Sequence, residues 1–234
     1  MLRQLVCSDA PEQALRYHGF RVIAGVDEVG RGALFGPVVA AAVILPERMS
    51  SLARAGLKDS KQLTRQEREK LDRKVRRMAL ALSIAEVDAE TIDRVNIYQA
   101  SRQAMLMAVI GLAIEPDHLL IDAMRIDHPC RQTRLFYGDS LSLSIAAASV
   151  VATVHRDALM RELDQAHPGY GLASHKGYGT PSHRRALAEL GPSVLHRRTF
   201  APVRAVDPDA AVEEIVSEEL LFDDAEIEES ADWA

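Results

Sequence analysis

The chain has 234 residues, 47% hydrophobic and 26% charged, a balance that suits a soluble globular protein with one sizeable core. Its net charge of −6 hides an asymmetry: twelve acids and no Lys or Arg follow Arg204, so residues 1–204 carry +6 and the body is basic, which suits a polyanionic partner. The start, MLRQLVCSDA, lacks the apolar core of a signal peptide, and the longest apolar run, Val38 to Leu45, is far short of the roughly 20 residues of a membrane helix, so a cytoplasmic protein is expected.

In chain order, RVIAGVD reads as a strand ending at Asp27. VVAAAVIL, apolar on both faces, suits a central strand, and LALSIAEV gives a third. Thr64 followed by Glu67 is a capping-box signature that opens a charged helix to about Met78. A second helix is expected from Asn96 to about Gly111. HLLID is a short strand ending at Asp122, and RLFYGD another ending near Asp139. LSIAAASVVATVHRDALMREL reads as a long helix whose small residues allow close packing on a sheet. SHRRALAELG is a later helix stopped by Gly191. Three early strands able to form a meander, then helices and two more strands, predict a mixed α/β sheet with helices on its faces. Cys7 and Cys130 form no metal-spaced pair and suggest a reducing compartment without disulfides. His175 and His183 have no zinc-ligand spacing with either cysteine, and no metal is assigned to them.

The stretch GVDEVGRGALFGP carries the chemistry. If the first strand stops at Asp27, the backbone can turn at once and Glu28 escapes the pleat, so both carboxylates can face one spot. Their repulsion then calls for a cation between them. Gly30 and Gly32 let backbone N–H groups approach a ligand, and Arg31 adds a fork suited to phosphate. A hairpin turn with solvated charges is the plainer reading. Asp122 and Asp139, each just past a strand, favour the first, because α/β sheets place their sites there. Four carboxylates suit a pair of Mg²⁺ or Mn²⁺ ions, hard cations that take oxygen ligands. Two such ions roughly 3.5–4 Å apart serve in-line displacement at phosphorus, one activating water and the other stabilising the leaving oxygen.

GVDEVGRG, GLKDSKQLT, LLIDA, GDSLSLSIAAASVVATVHRD and HKGYGTPSH…LGPSVLHRRTF occur in the order seen in bacterial type 2 ribonuclease H (ribonuclease HII), which the chain resembles from about Arg21 to Val203. The resemblance implies a ribonuclease H-like fold: a five-stranded mixed sheet flanked by helices, with a small C-terminal helical extension. It implies a metal-dependent endonuclease that cuts the RNA strand of RNA–DNA hybrids and also cuts at single ribonucleotides in duplex DNA, leaving 5′-phosphate and 3′-hydroxyl ends. Asp27, Glu28, Asp122 and Asp139 match the four metal-binding carboxylates. Gly30, Arg31 and Gly32 match the motif whose backbone reads the ribose 2′-hydroxyl, the group that separates RNA from DNA at one position. Tyr178 matches the tyrosine that stacks on the following deoxyribose, and Ser60 and Lys61 resemble a phosphate-contacting pair. The implied organisation is an N-terminal extension at 1–20, a catalytic domain at 21–204 and an acidic, disordered tail at 205–234.

Two features depart from the family pattern. Thr153 stands where the family usually has lysine, and the tail is additional; its EELLF, Glu218 to Phe222, loosely resembles motifs that dock on sliding clamps. Two other readings remain. A type 3 ribonuclease H would carry an extra N-terminal substrate-binding domain, and only some twenty residues precede the first strand here. A non-catalytic nucleic-acid binding module on the same fold would gain nothing from four acids facing phosphates.

Overall fold

The expected meander forms from three consecutive strands, β1 (Ile23–Val29), β2 (Val38–Ile44) and β3 (Ala81–Val87), in a computed structural model that describes residues 6–208. β4 (His118–Asp122) and β5 (Arg131–Leu135) complete one five-stranded sheet of order β3-β2-β1-β4-β5. β2 runs antiparallel to β1 and β3, whereas β4 runs parallel to both β1 and β5. The mixed α/β sheet read from the sequence is therefore the observed one.

Alternation along β2 assigns its two faces. Val38, Ala40, Ala42 and Ile44 face one core, with Ala104, Met105 and Ala108 of the helix α5 (Ile97–Ile110). Val39, Ala41 and Val43 face the other, with Leu71 and Val75 of α3 (Arg65–Met78) and Ala146, Ala147, Val150 and Val151 of α6 (Leu143–Ala166). The capping box is present: the Thr64 hydroxyl accepts from the Glu67 N–H and the Glu67 carboxylate accepts from the Thr64 N–H. Asn96 caps α5 by accepting from the N–H groups of Tyr98 and Gln99. By length and composition α6 could cross a membrane, but most of it is buried inside the body.

Gly25 explains how closely α6 lies on β1. A Cβ there would come within 2.1 Å of the Ser144 carbonyl carbon, so any side chain would push the helix off the sheet. The start of α6 is also held from the N-terminus. Glu12, fully buried on α1 (Ala10–Tyr17), accepts from the Ser142 hydroxyl (2.6 Å) and the Ser144 N–H (2.9 Å). Residues 6–20, expected to be an extension, are thus built into the body. The short helices α2 (Ser50–Arg54) and α4 (Ala89–Val95) sit beside the meander. α7 (Leu172–His175), α8 (Pro181–Leu190) and α9 (Ala201–Arg204) form the C-terminal helical extension, with Phe35, Met160, Tyr170, Leu172 and Ala186 as its own small core.

Two strand ends differ from expectation. β1 continues to Val29, because β2 offers partners beyond Asp27: Glu28 pairs with Ala40 and Val29 with Val39. β5 ends at Leu135, well before Asp139. Phe136 and Tyr137 are exposed, Tyr137 takes a left-handed conformation (φ 58°), and Gly138–Ser140 winds into a 3₁₀ turn. At the other end the body extends past Arg204, since the Arg198 guanidinium donates to the buried Asp207 carboxylate (2.9 and 3.1 Å). The clamp-like Glu218–Phe222 lies outside the described residues.

Candidate active site

β1 and β4 end side by side, which brings Asp27, Glu28 and Asp122 to one edge of the sheet. The 3₁₀ turn before α6 adds Asp139. Because β1 stays a strand through Glu28, the two neighbouring acids lie on alternate sides of it. Asp27 points into the body (4% exposed) and its Oδ1 accepts from the Glu28 N–H (2.8 Å). The Glu28 side chain, 9% exposed, lies on the other side of the strand and pairs with the more exposed Arg31 (3.3 Å). The Asp122 carboxylate accepts from the Gly138 N–H (2.8 Å), and Asp139 pairs with Lys61 (3.6 Å).

All four carboxyls are pushed above their ordinary range, each chiefly by burial. Repulsion from Glu28 and Asp122 adds to the effect at Asp27, and repulsion from Asp59 adds to it at Asp139. Arg31 opposes it at Glu28, as does the Gly138 N–H at Asp122. Desolvated acids that repel one another are costly unless a cation joins them. The donor set is all oxygen, and Glu28 Oε2 is buried without a hydrogen-bond partner, so the residues suit a hard divalent ion. Among the described residues, no three His, Cys, Asp or Glu side chains already stand at ligating separation. Arg31 and Lys61 instead supply the positive charge beside two of the acids.

These acids border a cleft of about 680 Å³, whose lining includes Glu28, Asp122, Gly30–Gly32 and Tyr178. The lining also holds Arg65, Arg68 and Lys176, with Asp157 paired to Arg68 (3.3 Å), and Ser60, Lys61 and Thr153. The Ser60 hydroxyl is buried, 3.0 Å from that of Ser149 and 3.2 Å from that of Thr153. Most of the sequence-derived candidates therefore line one cleft, with Ser60 turned inward and Lys61 exposed; Asp27 and Asp139 are buried beside it and do not line it. Tyr178, 38% exposed, lies beside the glycine turn, its backbone bridging to Ala33.

Sequence reasoning missed several residues that shape this site. Asp59 stands beside Asp139 and accepts from the Lys61 N–H (2.9 Å). Ser149, whose hydroxyl is 3.0 Å from that of Ser60, lies near Asp27 and opposes the upward shift of its carboxyl. Arg197 is fully buried and donates to the carbonyls of Gly36 and Arg31 (both 2.9 Å), fixing the turn from below. Arg156, also buried, lies under Gly30 and Tyr178. Arg156 had a signal: it falls four residues after Ala152 and four before Met160, both buried, which puts a charged residue on the apolar face of α6. Behind Tyr178 lies a histidine pair. The Ser193 N–H donates to His196 Nδ1 (2.9 Å), which leaves the His196 proton on Nε2, facing His183 Nε2 (3.3 Å). His183 Nδ1–H then donates to the Tyr178 carbonyl (3.1 Å). His175, stacked on His183, belongs to the same cluster.

The family model for ribonuclease HII matches residues 24–203, which include every residue of this cleft. A ribonuclease HII of Koribacter versatilis is 52% identical over 219 residues, covering 94% of this chain and 85% of the relative. One from Solibacter usitatus is 54% identical over 199 residues, covering 85% and 86%. Among solved structures, the ribonuclease H2 of Pyrococcus horikoshii superposes with a TM-score of 0.72 at 26% identity, over 82% of this chain and 99% of that one. With a matching family model over most of its length and relatives this similar, the chain belongs to the ribonuclease HII family of endoribonucleases.

Proposed function

We propose that this protein is a metal-dependent endonuclease that hydrolyses the RNA strand of RNA–DNA hybrids and cuts on the 5′ side of single ribonucleotides in duplex DNA, leaving 5′-phosphate and 3′-hydroxyl ends, and so serves ribonucleotide removal. One observation carries the reading: four desolvated carboxylates gather at one edge of a sheet, beside a cleft whose lining also holds Arg65, Arg68 and Lys176. Asp27, Glu28, Asp122 and Asp139 would hold two Mg²⁺ or Mn²⁺ ions, which when bound lower the pKa of the attacking water and stabilise the leaving oxygen.

The chain's own residues do the rest. Arg31 and Lys61, paired here with Glu28 and Asp139, carry the positive charge nearest the acids and would be available to substrate phosphates once those acids hold metal. The Gly30-Arg31-Gly32 backbone offers donors and acceptors to a 2′-hydroxyl, a group the acids alone cannot select. Tyr178 packs on the next sugar, where a second 2′-hydroxyl would crowd the ring. Ser60 is held through Ser149 and Thr153. Residues 6–207 act as one catalytic body. The acidic tail is an appendage, and its Glu218–Phe222 makes a weak sliding-clamp contact. Two free thiols agree with a cytoplasmic place.

The test is cleavage of three labelled duplexes in Mg²⁺, Mn²⁺ or chelator: all-DNA, RNA–DNA hybrid, and DNA with one ribonucleotide. Cutting of the last two alone, lost in chelator, with the stated ends, is expected. Cleavage of the hybrid but not the single ribonucleotide would favour a type 3 specificity, and binding without cleavage would favour a non-catalytic module.

A further inference from the structure

Arg156 is 1% exposed and pairs with no carboxylate among the described residues. A buried guanidinium without a counter-ion is costly, and it persists only if its donors are satisfied. Here the partners are backbone carbonyls of two segments that lie side by side, joined by the Leu34 N–H bond to Gly177 O (2.8 Å). Nε donates to Pro37 O (3.1 Å) and Nη2 to Phe35 O (3.1 Å), in the segment that leaves the glycine turn. Nη1 donates to Lys176 O (2.8 Å), two residues before Tyr178, and the guanidinium carbon lies 5.5 Å from the Tyr178 ring centre. The fork also underlies Gly30, where a Cβ would come within 2.2 Å of Arg156 Nε.

The segment it holds is strained. Lys176 takes a left-handed conformation (φ 55°) and Gly177 follows it (φ 79°), with room for no Cβ at Gly177 because Phe35 O would lie 2.8 Å away. A lysine rarely adopts that region, and it must be held there by its surroundings. The Arg156 bond to Lys176 O is one such hold.

We infer that Arg156 is a positioning residue for ribose selectivity: one rigid fork sets the spacing between the turn that reads the 2′-hydroxyl and the tyrosine that reads the next sugar. This rests on the proposed roles of Gly30–Gly32 and Tyr178. A planar guanidinium fixes three directions at once, which an ammonium on a flexible stem cannot. Losing the fork leaves the spacing of the two readers to the Leu34 N–H bond to Gly177 O and the Ala33–Tyr178 bridge alone, which loosens it, while the acids, held by β1, β4 and the Gly138 N–H, stay in place.

The test measures kcat/KM for Arg156→Gln and Arg156→Lys on DNA with one ribonucleotide and on an RNA–DNA hybrid, each with and without Tyr178→Ala. Thermal melts confirm folding at the assay temperature. Should the glutamine variant not fold, the lysine variant, which keeps the charge and stem, carries the same comparison. The expected result is a loss of about tenfold in the ratio of the two substrates, with hybrid cleavage within about threefold of wild type, and a further change under about twofold once Tyr178 is Ala, since residues acting as a unit are not additive. Equal losses on both substrates, or an undiminished loss of ratio in the Tyr178→Ala background, would overturn it. A wild-type protein that cuts neither substrate would instead fail the functional reading, whatever Arg156 does.

Discussion

The two walls of the cleft bury charge in opposite ways. On the sheet side, Asp27, Asp122 and Asp139 are desolvated beside one another, with few donors to satisfy them. On the other side, Arg156 and Arg197 are at least as deeply buried, and both spend their donors on backbone carbonyls. Burial lowers the pKa of both arginines, Arg197 to about 9, so the fold bears a cost there too. The difference lies in degree. All three nitrogens of the Arg156 guanidinium reach backbone carbonyls, and Arg197 uses two of its three, Nη2 being buried without a partner, so both hold shape; the acids lack most of theirs and await a ligand. Substitution should therefore stabilise one wall and break the other.

Asp27→Asn gives the largest contrast. Turnover should fall below about a tenth of wild type, at least 1.4 kcal/mol of barrier, while substrate affinity is largely kept. Parallel measurements of turnover and affinity check this. In chelator the same variant should melt higher than wild type at neutral pH. The sign follows from linkage: an acid whose folded pKa lies above its unfolded value costs stability at neutral pH, and the loss is recovered as pH falls through the folded value. Chelated wild type should accordingly gain stability on mild acidification, and Asp27→Asn should reduce that gain.

Arg197→Met tests the arginine that holds the glycine turn from below. It strands the carbonyls of Gly36 and Arg31, and a loss of about 2–4 kcal/mol is expected from denaturant melts, with or without metal. A neutral or stabilising result would mean that water or repacking satisfies these carbonyls, and that the arginine is there for its charge.

The histidine pair gives a smaller effect of opposite sign to that of the acids. Burial lowers both His183 and His196, the latter to about 4 from an ordinary 6.5. The unfolded chain takes up the proton first, so this pair's contribution to stability is lost as pH falls from about 6.5 towards 4. His196→Asn should flatten that slope in thermal melts in the presence of metal. The smallest effect belongs to the tail. Truncation after Asp207 should leave melting and cleavage unchanged and tighten non-specific DNA binding at low salt only, read by titration at two salt concentrations. A fall of several degrees in melting temperature would show that the tail packs on the body.

Local signals made much of this legible in advance. Alternation and apolar runs located the meander, and Thr64 with Glu67 opened α3 where the capping box now lies. Acids just past apolar strands marked Asp122 and Asp139. What escaped depended on distant partners. Nothing in GVDEVGRG says that β1 runs to Val29; β2 decides that by pairing with it. RLFYGD reads as a strand until Tyr137 turns left-handed. The roles of Glu12, Arg156 and Arg197 lie in bonds to residues 119 to 166 positions away, as well as the nearer Lys176, and no short window of sequence contains them.

The bond between Glu12 and the start of α6 spans 130 residues of sequence, and it therefore sets a schedule for synthesis. The three-stranded meander is local and can form once residues near Val87 leave the ribosome. Glu12 must then wait, a carboxylate destined for the interior, until Ser142 and Ser144 are made. Asp27 waits for Asp122 and Asp139 over the same interval. A nascent chain thus carries half a nuclease that cannot yet cut, and the step that seats α6 on Gly25 is also the step that assembles the site.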